Sequence, residues 1–280
     1  MTDWWRCWLM HRTDLLLLPD AVFCQFLGWS RSGTTLLGSL LNAHPSVLIA
    51  QEADVAALVA AGADRARIMQ VLLAREADFA ARGREWNGYD YTVAGPDEKT
   101  DRTPALRVIG DKKAAGTVEI EALYPGTLAR VGDIMGLPLR LLCVTRDPFD
   151  TIATLSRHLS TDTPAWFSCR PDPLHAATDW YLLLATVTQR LVDSPPAPVH
   201  VTSLERLALD PRGELSRTLG FLGVDDAPAD YLDRCAAIVR PQVRRTAESV
   251  DWPADVQDRV QRAIATLPLL ADQSAGAPPW

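Results

Sequence analysis

Long apolar runs and an excess of positive charge are both missing from this chain of 280 residues. A membrane helix needs about 20 consecutive apolar residues, and no stretch approaches that length, so we predict no membrane insertion. Lysine and arginine total 28 against 35 for aspartate and glutamate, a formal net charge of −7 at pH 7. Because this charge does not attract nucleic acid, we expect no nucleic-acid partner, and any anion site must be built from local residues.

Cysteine is also scarce, and its placement excludes two kinds of structure. The five cysteines show no metal-ligand spacing, and an odd number cannot pair fully in disulfides. We therefore interpret them as reduced, buried thiols of a cytoplasmic protein. They are Cys7, Cys24, Cys143, Cys169 and Cys235.

The composition is otherwise ordinary for a soluble globular protein, with 48% apolar and 22% charged residues. The N-terminal stretch has an apolar run like that of an export signal, but Arg6, Arg12 and Asp14 interrupt it. We interpret residues 1–20 as an extension packed on the domain, residues 21–270 as one domain, and residues 271–280 as a tail.

One stretch carries the pattern of a phosphate-binding loop. Residues 21–27 form a short apolar run typical of a buried parallel strand, and residues 35–42 have apolar side chains at helical spacing. Between them lies Gly-Trp-Ser-Arg-Ser-Gly-Thr-Thr, at positions 28–35. A strand, a glycine turn and a helix N-terminus place unpaired N–H groups and a positive dipole end together, so we expect an anion there.

The loop lacks the lysine of the nucleoside-triphosphate motif G-x-x-x-x-G-K-[ST]. Gly28 and Gly33 have the spacing of that motif, but Thr34 stands where the lysine belongs, and the cation is Arg31. A kinase or ATPase needs the lysine at the transferred phosphate, so the loop favours a nucleotide with a monophosphate-like end group. A tight turn that uses glycine for its conformation alone is the simpler alternative.

Further short apolar runs alternate with helical patterns along the chain. We predict strands at Val47–Ala50, 106–109, Leu139–Thr145 and 199–202. Strands separated by helices predict an α/β fold: a single-domain, doubly wound, mainly parallel sheet of about five strands with flanking helices. Ligands bind such sheets at the carboxyl ends of the strands. Polar residues follow four of them, at 28–35, 51–52, 110–113 and 146–154.

In order and spacing, these motifs resemble those of the sulfotransferases, the enzymes that use 3'-phosphoadenosine 5'-phosphosulfate. Residues 28–35 are similar to the family's 5'-phosphosulfate loop. Residues 146–154 are similar to its 3'-phosphate motif, an arginine with a hydroxyl residue eight positions later. Thr154 departs from the serine of most members but keeps the hydroxyl. The resemblance, to members of bacterial type with a P-loop-like fold, continues through residues 203–223 and covers residues 23 to 252.

The resemblance implies a donor site with two anchors and no metal. Arg146 and Thr154 are expected to hold the 3'-phosphate, and Arg244 and Arg245 resemble a late basic segment that closes over it. An Arg146 paired with nearby aspartates at the surface is the alternative. For the 5' end, the implied residues are Arg31, Ser32, Gly33, Thr34 and Thr35.

The resemblance also implies a catalytic base. Glu52 follows Arg31 by 21 positions, where the tyrosylprotein branch of the family carries a glutamate, and a carboxylate there can take a proton from an acceptor hydroxyl. Small-molecule members instead use a histidine two residues after a lysine, and Ala114 occupies that place here. Asp111 is the reserve candidate, and a solvated glutamate that opens the next helix is the alternative for Glu52.

Lys112 resembles the lysine that steadies the bridging oxygen of the leaving nucleotide, and Arg31 is expected to add charge to the same reaction. The sequence leaves open whether Lys112 or Lys113 faces the site. The implied activity is in-line transfer of a sulfonate to a small or medium acceptor, which enters past loops at 83–104 and 160–173. Alcohols, phenols, sugars and peptide hydroxyls all fit this pattern.

Two other functions fit parts of the sequence. A small-molecule kinase of the P-loop class would bind ATP and magnesium, and the missing lysine disfavours it. A non-catalytic nucleotide-binding protein on the same fold would need the loop but neither Glu52 nor Lys112.

Overall fold

The computed structural model describes residues 16–95, 105–161 and 172–271, and a parallel sheet of five strands lies at its centre. In chain order the strands are β1 (Leu16–Gly28), β2 (Val47–Ala50), β3 (Glu85–Trp86), β4 (Tyr89–Asp90), β5 (Ala105–Asp111), β6 (Leu139–Thr145) and β7 (Val199–Ser203). The central sheet has the order β2-β5-β1-β6-β7, and all its neighbouring strands are parallel. β3 and β4 form a separate antiparallel hairpin.

Helices connect the strands and cover both faces of the sheet. They are α1 (Thr34–Asn42), α2 (Val55–Ala60), α3 (Arg65–Ala81), α4 (Ala115–Leu123), α5 (Thr127–Met135), α6 (Pro148–Thr161), α7 (Pro173–Asp193), α8 (Leu204–Leu209), α9 (Pro211–Phe221), α10 (Ala229–Ile238), α11 (Ala254–Thr266) and α12 (Pro268–Ala271), with a 3-10 turn at Ala247–Ser249. The predicted α/β fold with about five strands is confirmed. None of the described helices is long and apolar enough to span a membrane.

The central strand β1 explains why two cores form. Its side chains alternate between the faces of the sheet: Phe23 and Leu27 join one apolar cluster, with α5, α6 and α7, whereas Cys24 and Phe26 join the other, with α1, α9 and α10. All four side chains are fully buried. A strand covered on both faces reads as a continuous apolar run, which is why this element was predictable.

Three of the cysteines lie in the described residues, and all three are buried and unpaired, as predicted. They are Cys24, Cys143 and Cys235, and burial raises the pKa of Cys143 to about 12. Cys7 and Cys169 lie outside the described residues, as does most of the predicted loop at 160–173 and of the tail at 271–280.

Two boundaries differ from the prediction. β1 begins at Leu16, inside the stretch interpreted as an extension, and its register against β5 shifts between Leu17 and Val22, around a proline that cannot donate to the ladder. Helix α2 begins at Val55 and not at Glu52, where the solvated-glutamate alternative places the helix start, because Glu52 and Asp54 both have left-handed backbone angles, φ 51° and 61°.

The predicted long loop at 83–104 is also corrected, because the β3–β4 hairpin begins it. Its two-residue turn is Asn87-Gly88, and both residues have positive φ, 51° and 76°. Positive φ at both positions is the requirement of a type I′ turn, for which Asn-Gly is a preferred sequence. Residues 96–104 lie outside the described part of the chain.

Candidate active site

The carboxyl ends of the parallel strands bring the predicted segments to one edge of the sheet. The glycine loop follows β1, Glu52 follows β2, Lys112 follows β5, and Arg146 follows β6. These four segments are therefore far apart in the sequence but lie in one region of the fold.

The loop after β1 has the backbone of an anion site. Gly28, Arg31 and Gly33 have positive φ angles of 115°, 71° and 98°, which fold the chain tightly ahead of α1. The backbone N–H groups of residues 33–36 donate no hydrogen bond to any described residue. A side chain at Gly33 would place its Cβ 2.9 Å from Leu204 Cδ1 and would be strained at a φ of 98°, so both the space and the backbone favour glycine. Unbonded N–H groups at a helix N-terminus are the usual backbone ligands of a phosphate.

Side chains of the loop differ in what they can offer. Ser32 is fully buried and its hydroxyl donates to the Trp29 carbonyl at 3.0 Å, so Ser32 contributes only its backbone. Thr34 is nearly buried and Thr35 is half-buried. Arg31 reaches the β3–β4 hairpin. When the side-chain amide of Asn87 is oriented with its oxygen toward the loop, that oxygen accepts a hydrogen bond from Arg31 Nη1 at 3.0 Å.

Glu52 is held by both candidate lysines. Lys112 Nζ lies 2.8 Å from Glu52 Oε1, and Lys113 Nζ lies 3.0 Å from Glu52 Oε2. Only 4% of the Lys112 side chain is exposed, against 29% for Lys113, so Lys112 is the inward-facing lysine. Burial raises the pKa of Glu52, but the charges and hydrogen bonds of the two lysines outweigh it and lower that pKa to about 2.

Two packing contacts connect Lys112 to the elements around the loop. The stem of Lys112 crosses α1 at Gly38, where the Cβ of any larger residue would stand 2.9 Å from Lys112 Cγ. Lys112 Nζ also lies 5.9 Å from the centre of the Trp86 ring, on the hairpin that holds Arg31. The hairpin therefore spans the distance between the loop cation and the carboxylate–lysine pair.

Arg146 lies at the centre of the second predicted anchor. It is only 6% exposed, and its guanidinium donates to the carbonyls of Arg31 and Arg244 at 3.2 and 2.6 Å. The Thr154 hydroxyl stands 3.4 Å from Arg146 Nη1, and the Thr246 hydroxyl stands 3.5 Å from Nη2. No carboxylate of the described residues pairs with it, since Asp150 Oδ1 instead accepts from the Ala247 N–H at 2.8 Å. The surface-pair alternative is therefore wrong.

Several solved structures with a similar fold are sulfotransferases. The mouse sulfotransferase SULT7A1 complexed with PAP is 12% identical, with 96% of this chain and 93% of that chain covered and a TM-score of 0.53. The sulfotransferase domain from the curacin biosynthetic pathway is 15% identical, with 90% and 98% covered and a TM-score of 0.50. STF9 from Mycobacterium avium is 12% identical, with 93% and 80% covered and a TM-score of 0.50.

The chain has the sulfotransferase fold. No family model matches the sequence, and no curated protein matches it either. At identities of 12–15%, these likenesses show the fold alone, and the donor and acceptor must be argued from the residues of the site.

Two residues of the site on this sulfotransferase fold were not predicted from the sequence. Asn87 contacts Arg31 from the hairpin, and its Asn-Gly turn was the available signal. Thr246 contacts Arg146 across 100 positions, and no local pattern connects them. Arg244 supplies a carbonyl to Arg146, and Arg245 follows it in the same segment. No cluster of three acidic, histidine or cysteine side chains in the described ranges is arranged to hold a metal ion.

We expect the Glu52 ion pairs to stabilise the fold in a pH-dependent way. The folded pKa of about 2 lies below the ordinary value of 4.5, so the contribution is complete above pH 4.5 and is lost as the pH falls toward 2. Thermal unfolding of the wild type and of Glu52→Gln, followed from pH 2 to 7, measures it. The difference between the two proteins should be largest above pH 4.5 and shrink below it. A difference that does not change with pH would show that Glu52 is not held as a charged partner.

Proposed function

We propose that this protein transfers the sulfonate of 3'-phosphoadenosine 5'-phosphosulfate to a hydroxyl of a small or medium acceptor. The observation that carries the proposal is the meeting of an anion-binding loop, the buried Arg146 and the Glu52–Lys112 pair at one edge of the sheet. The fold supports it, since mouse SULT7A1 has this fold and was solved in complex with PAP.

The residues of the site fit such a nucleotide. The N–H groups of residues 33–36 make no hydrogen bond within the described chain, and the buried Nε of Arg146 has no partner there. Arg146 and Thr154 would hold the 3'-phosphate under the segment that contains Arg244 and Arg245. The 5' end would lie on the loop, against Arg31, Ser32, Gly33, Thr34 and Thr35.

The chemistry divides between a base and a cation. When bound, the donor supplies an activated sulfonate group. Glu52 accepts the proton of the acceptor hydroxyl as that oxygen attacks. Lys112 stabilises the negative charge that develops on the leaving 5'-phosphate oxygen, and Arg31 adds charge from the loop. Lysine and arginine provide the cationic charge, so the proposal includes no metal.

The same geometry makes the strength of the base depend on the donor. Glu52 with a pKa of about 2 is a weak proton acceptor while both lysines hold it. When Lys112 turns from Glu52 to a phosphate oxygen, Glu52 loses one charge partner and one hydrogen bond, so its pKa rises. Donor binding would therefore activate Glu52, and the proton would be taken only with the sulfonate in place.

Calorimetry tests the function against its two alternatives. We expect the protein to bind 3',5'-adenosine bisphosphate, the product left by the donor, and to show no heat of binding with ATP and magnesium. A kinase would give the opposite pattern. Transfer of radiolabelled sulfonate to a panel of alcohols, phenols, sugars and peptides then separates an enzyme from a nucleotide-binding protein. Binding of ATP with magnesium but not of the bisphosphate would refute the proposal.

A further inference from the structure

The backbone that carries Glu52 is strained. Glu52 and Asp54 have φ angles of 51° and 61°, and neither is glycine. A non-glycine residue in the left-handed region is destabilised by the contact of its Cβ with the backbone, so two of them within three residues persist only where surrounding contacts impose the conformation.

Those contacts come from one buried carboxylate. Asp111, the last residue of β5, accepts hydrogen bonds from the Ala53 N–H at Oδ1 and the Val55 N–H at Oδ2, each at 2.9 Å. Its Oδ1 also accepts from the Lys113 N–H at 3.1 Å. The two bonded N–H groups of the turn belong to the residues that directly follow Glu52 and Asp54. The carboxylate therefore fixes both strained positions at once.

The same residue also fixes the two lysines. Asp111 pairs with Ala50 in the sheet, and the next N–H, from Lys112, donates to the Ala50 carbonyl at 3.0 Å. Gln25 Nε2 donates to the carbonyls of Asp111 and Lys113 from the neighbouring strand, both at 3.2 Å. The turn after β2 and the lysine pair after β5 are thus joined through one side chain and its backbone.

We infer that Asp111 is a positioning residue, which holds the strained turn so that Glu52 stays between Lys112 and Lys113. Asp111 is not the base itself, since it is fully buried and both its oxygens accept backbone hydrogen bonds. The sequence-based role of reserve base is therefore wrong on geometric grounds. The effect of Asp111 on catalysis rests on the proposed function, but its effect on Glu52 does not.

Asp111→Asn tests the inference with almost no change of volume. Asparagine has a single acceptor oxygen, so its NH2 group must face at least one N–H donor of the turn or of Lys113. We expect the turn to relax, and the pKa of Glu52 to rise from about 2 toward 4.5 as its lysine contacts weaken. Carboxyl-carbon NMR titration measures this, with the Glu52 signal assigned by its loss in Glu52→Gln. We also expect kcat to fall about tenfold, with little change in the Kd of the bisphosphate.

Glu214→Gln is the matched control. Glu214 is a buried carboxylate on α9, where it accepts from Thr202 and Arg217 near the opposite edge of the sheet. Glu214→Gln should lower the midpoint of thermal unfolding without changing the pKa of Glu52 or kcat. A folded Asp111→Asn protein in which the pKa of Glu52 and kcat both keep their wild-type values would overturn the inference.

Amide exchange in the wild type decides the matter if Asp111→Asn does not fold. The Ala53 and Val55 amides should exchange as slowly as those of the central strands, because their acceptor is buried. Exchange at the rate of exposed amides would also overturn the inference. If the wild type binds no bisphosphate, the proposed function fails, and the titration and exchange results still decide the role of Asp111.

Discussion

Replacement of Arg146 by alanine should raise the Kd for 3',5'-adenosine bisphosphate about 100-fold. The guanidinium is almost fully buried, and its two terminal nitrogens point at neutral oxygen atoms that a phosphate can replace. Charge-assisted hydrogen bonds are each worth about 1.5–3 kcal/mol, and a factor of ten in Kd corresponds to about 1.4 kcal/mol. Two such bonds at the lower end of this range, about 3 kcal/mol together, account for the expected change, which calorimetry measures directly.

Two other variants separate this effect from a general loss of structure. Arg146→Lys keeps the charge but not the planar pair of donors, so its Kd should lie between those of the wild type and Arg146→Ala. Arg140 lies on the same strand, β6, and its guanidinium packs 5.9 Å from the Phe221 ring. Arg140→Ala should therefore leave the Kd unchanged. If folded Arg146→Ala binds the bisphosphate as tightly as the wild type, Arg146 is not the 3' anchor.

The predictable parts of this molecule are those with a local signal. The run at Leu139–Thr145 is apolar without interruption because β6 is buried, and the predicted bounds match the observed strand. The glycine loop was recognisable because positive φ angles at Gly28 and Gly33 leave a trace in the sequence. The position of Arg146 at the edge of the sheet was predictable because this residue directly follows the buried strand β6.

The contacts between segments had no such signal. Lys112 and Lys113 both reach Glu52 because Ala50 of β2 pairs with Asp111 of β5, and that register is a property of the assembled sheet. Likewise, the approach of Thr246 to Arg146 depends on the path of the chain after α10. The role of Asp111 was misread for the same reason, since its bonds to the turn depend on two strands lying side by side.

Glu52→Gln should lower kcat by about 100- to 10,000-fold, the range typical for loss of a general base. Glutamine keeps the shape of the side chain and can still accept a hydrogen bond from Lys112, but it cannot take a proton from the acceptor hydroxyl. The Kd of the bisphosphate should change little. Steady-state kinetics with the donor and a competent acceptor give kcat, and calorimetry gives the Kd. A folded Glu52→Gln enzyme with wild-type kcat would show that another group is the base.

Glu85→Gln is the control, since Glu85 is an exposed carboxylate on β3, the hairpin strand that also carries Trp86. Glu85→Gln should leave kcat unchanged.

Glu52 and Lys112 can then be tested as a unit with Glu52→Gln, Lys112→Ala and the double variant. Alone, Lys112→Ala removes the charge that stabilises the leaving oxygen, but it also frees Glu52 from one partner and raises its pKa. If the two side chains act in one step, the loss of kcat in the double variant should be smaller than the product of the single losses. Independent roles would instead make the losses multiply.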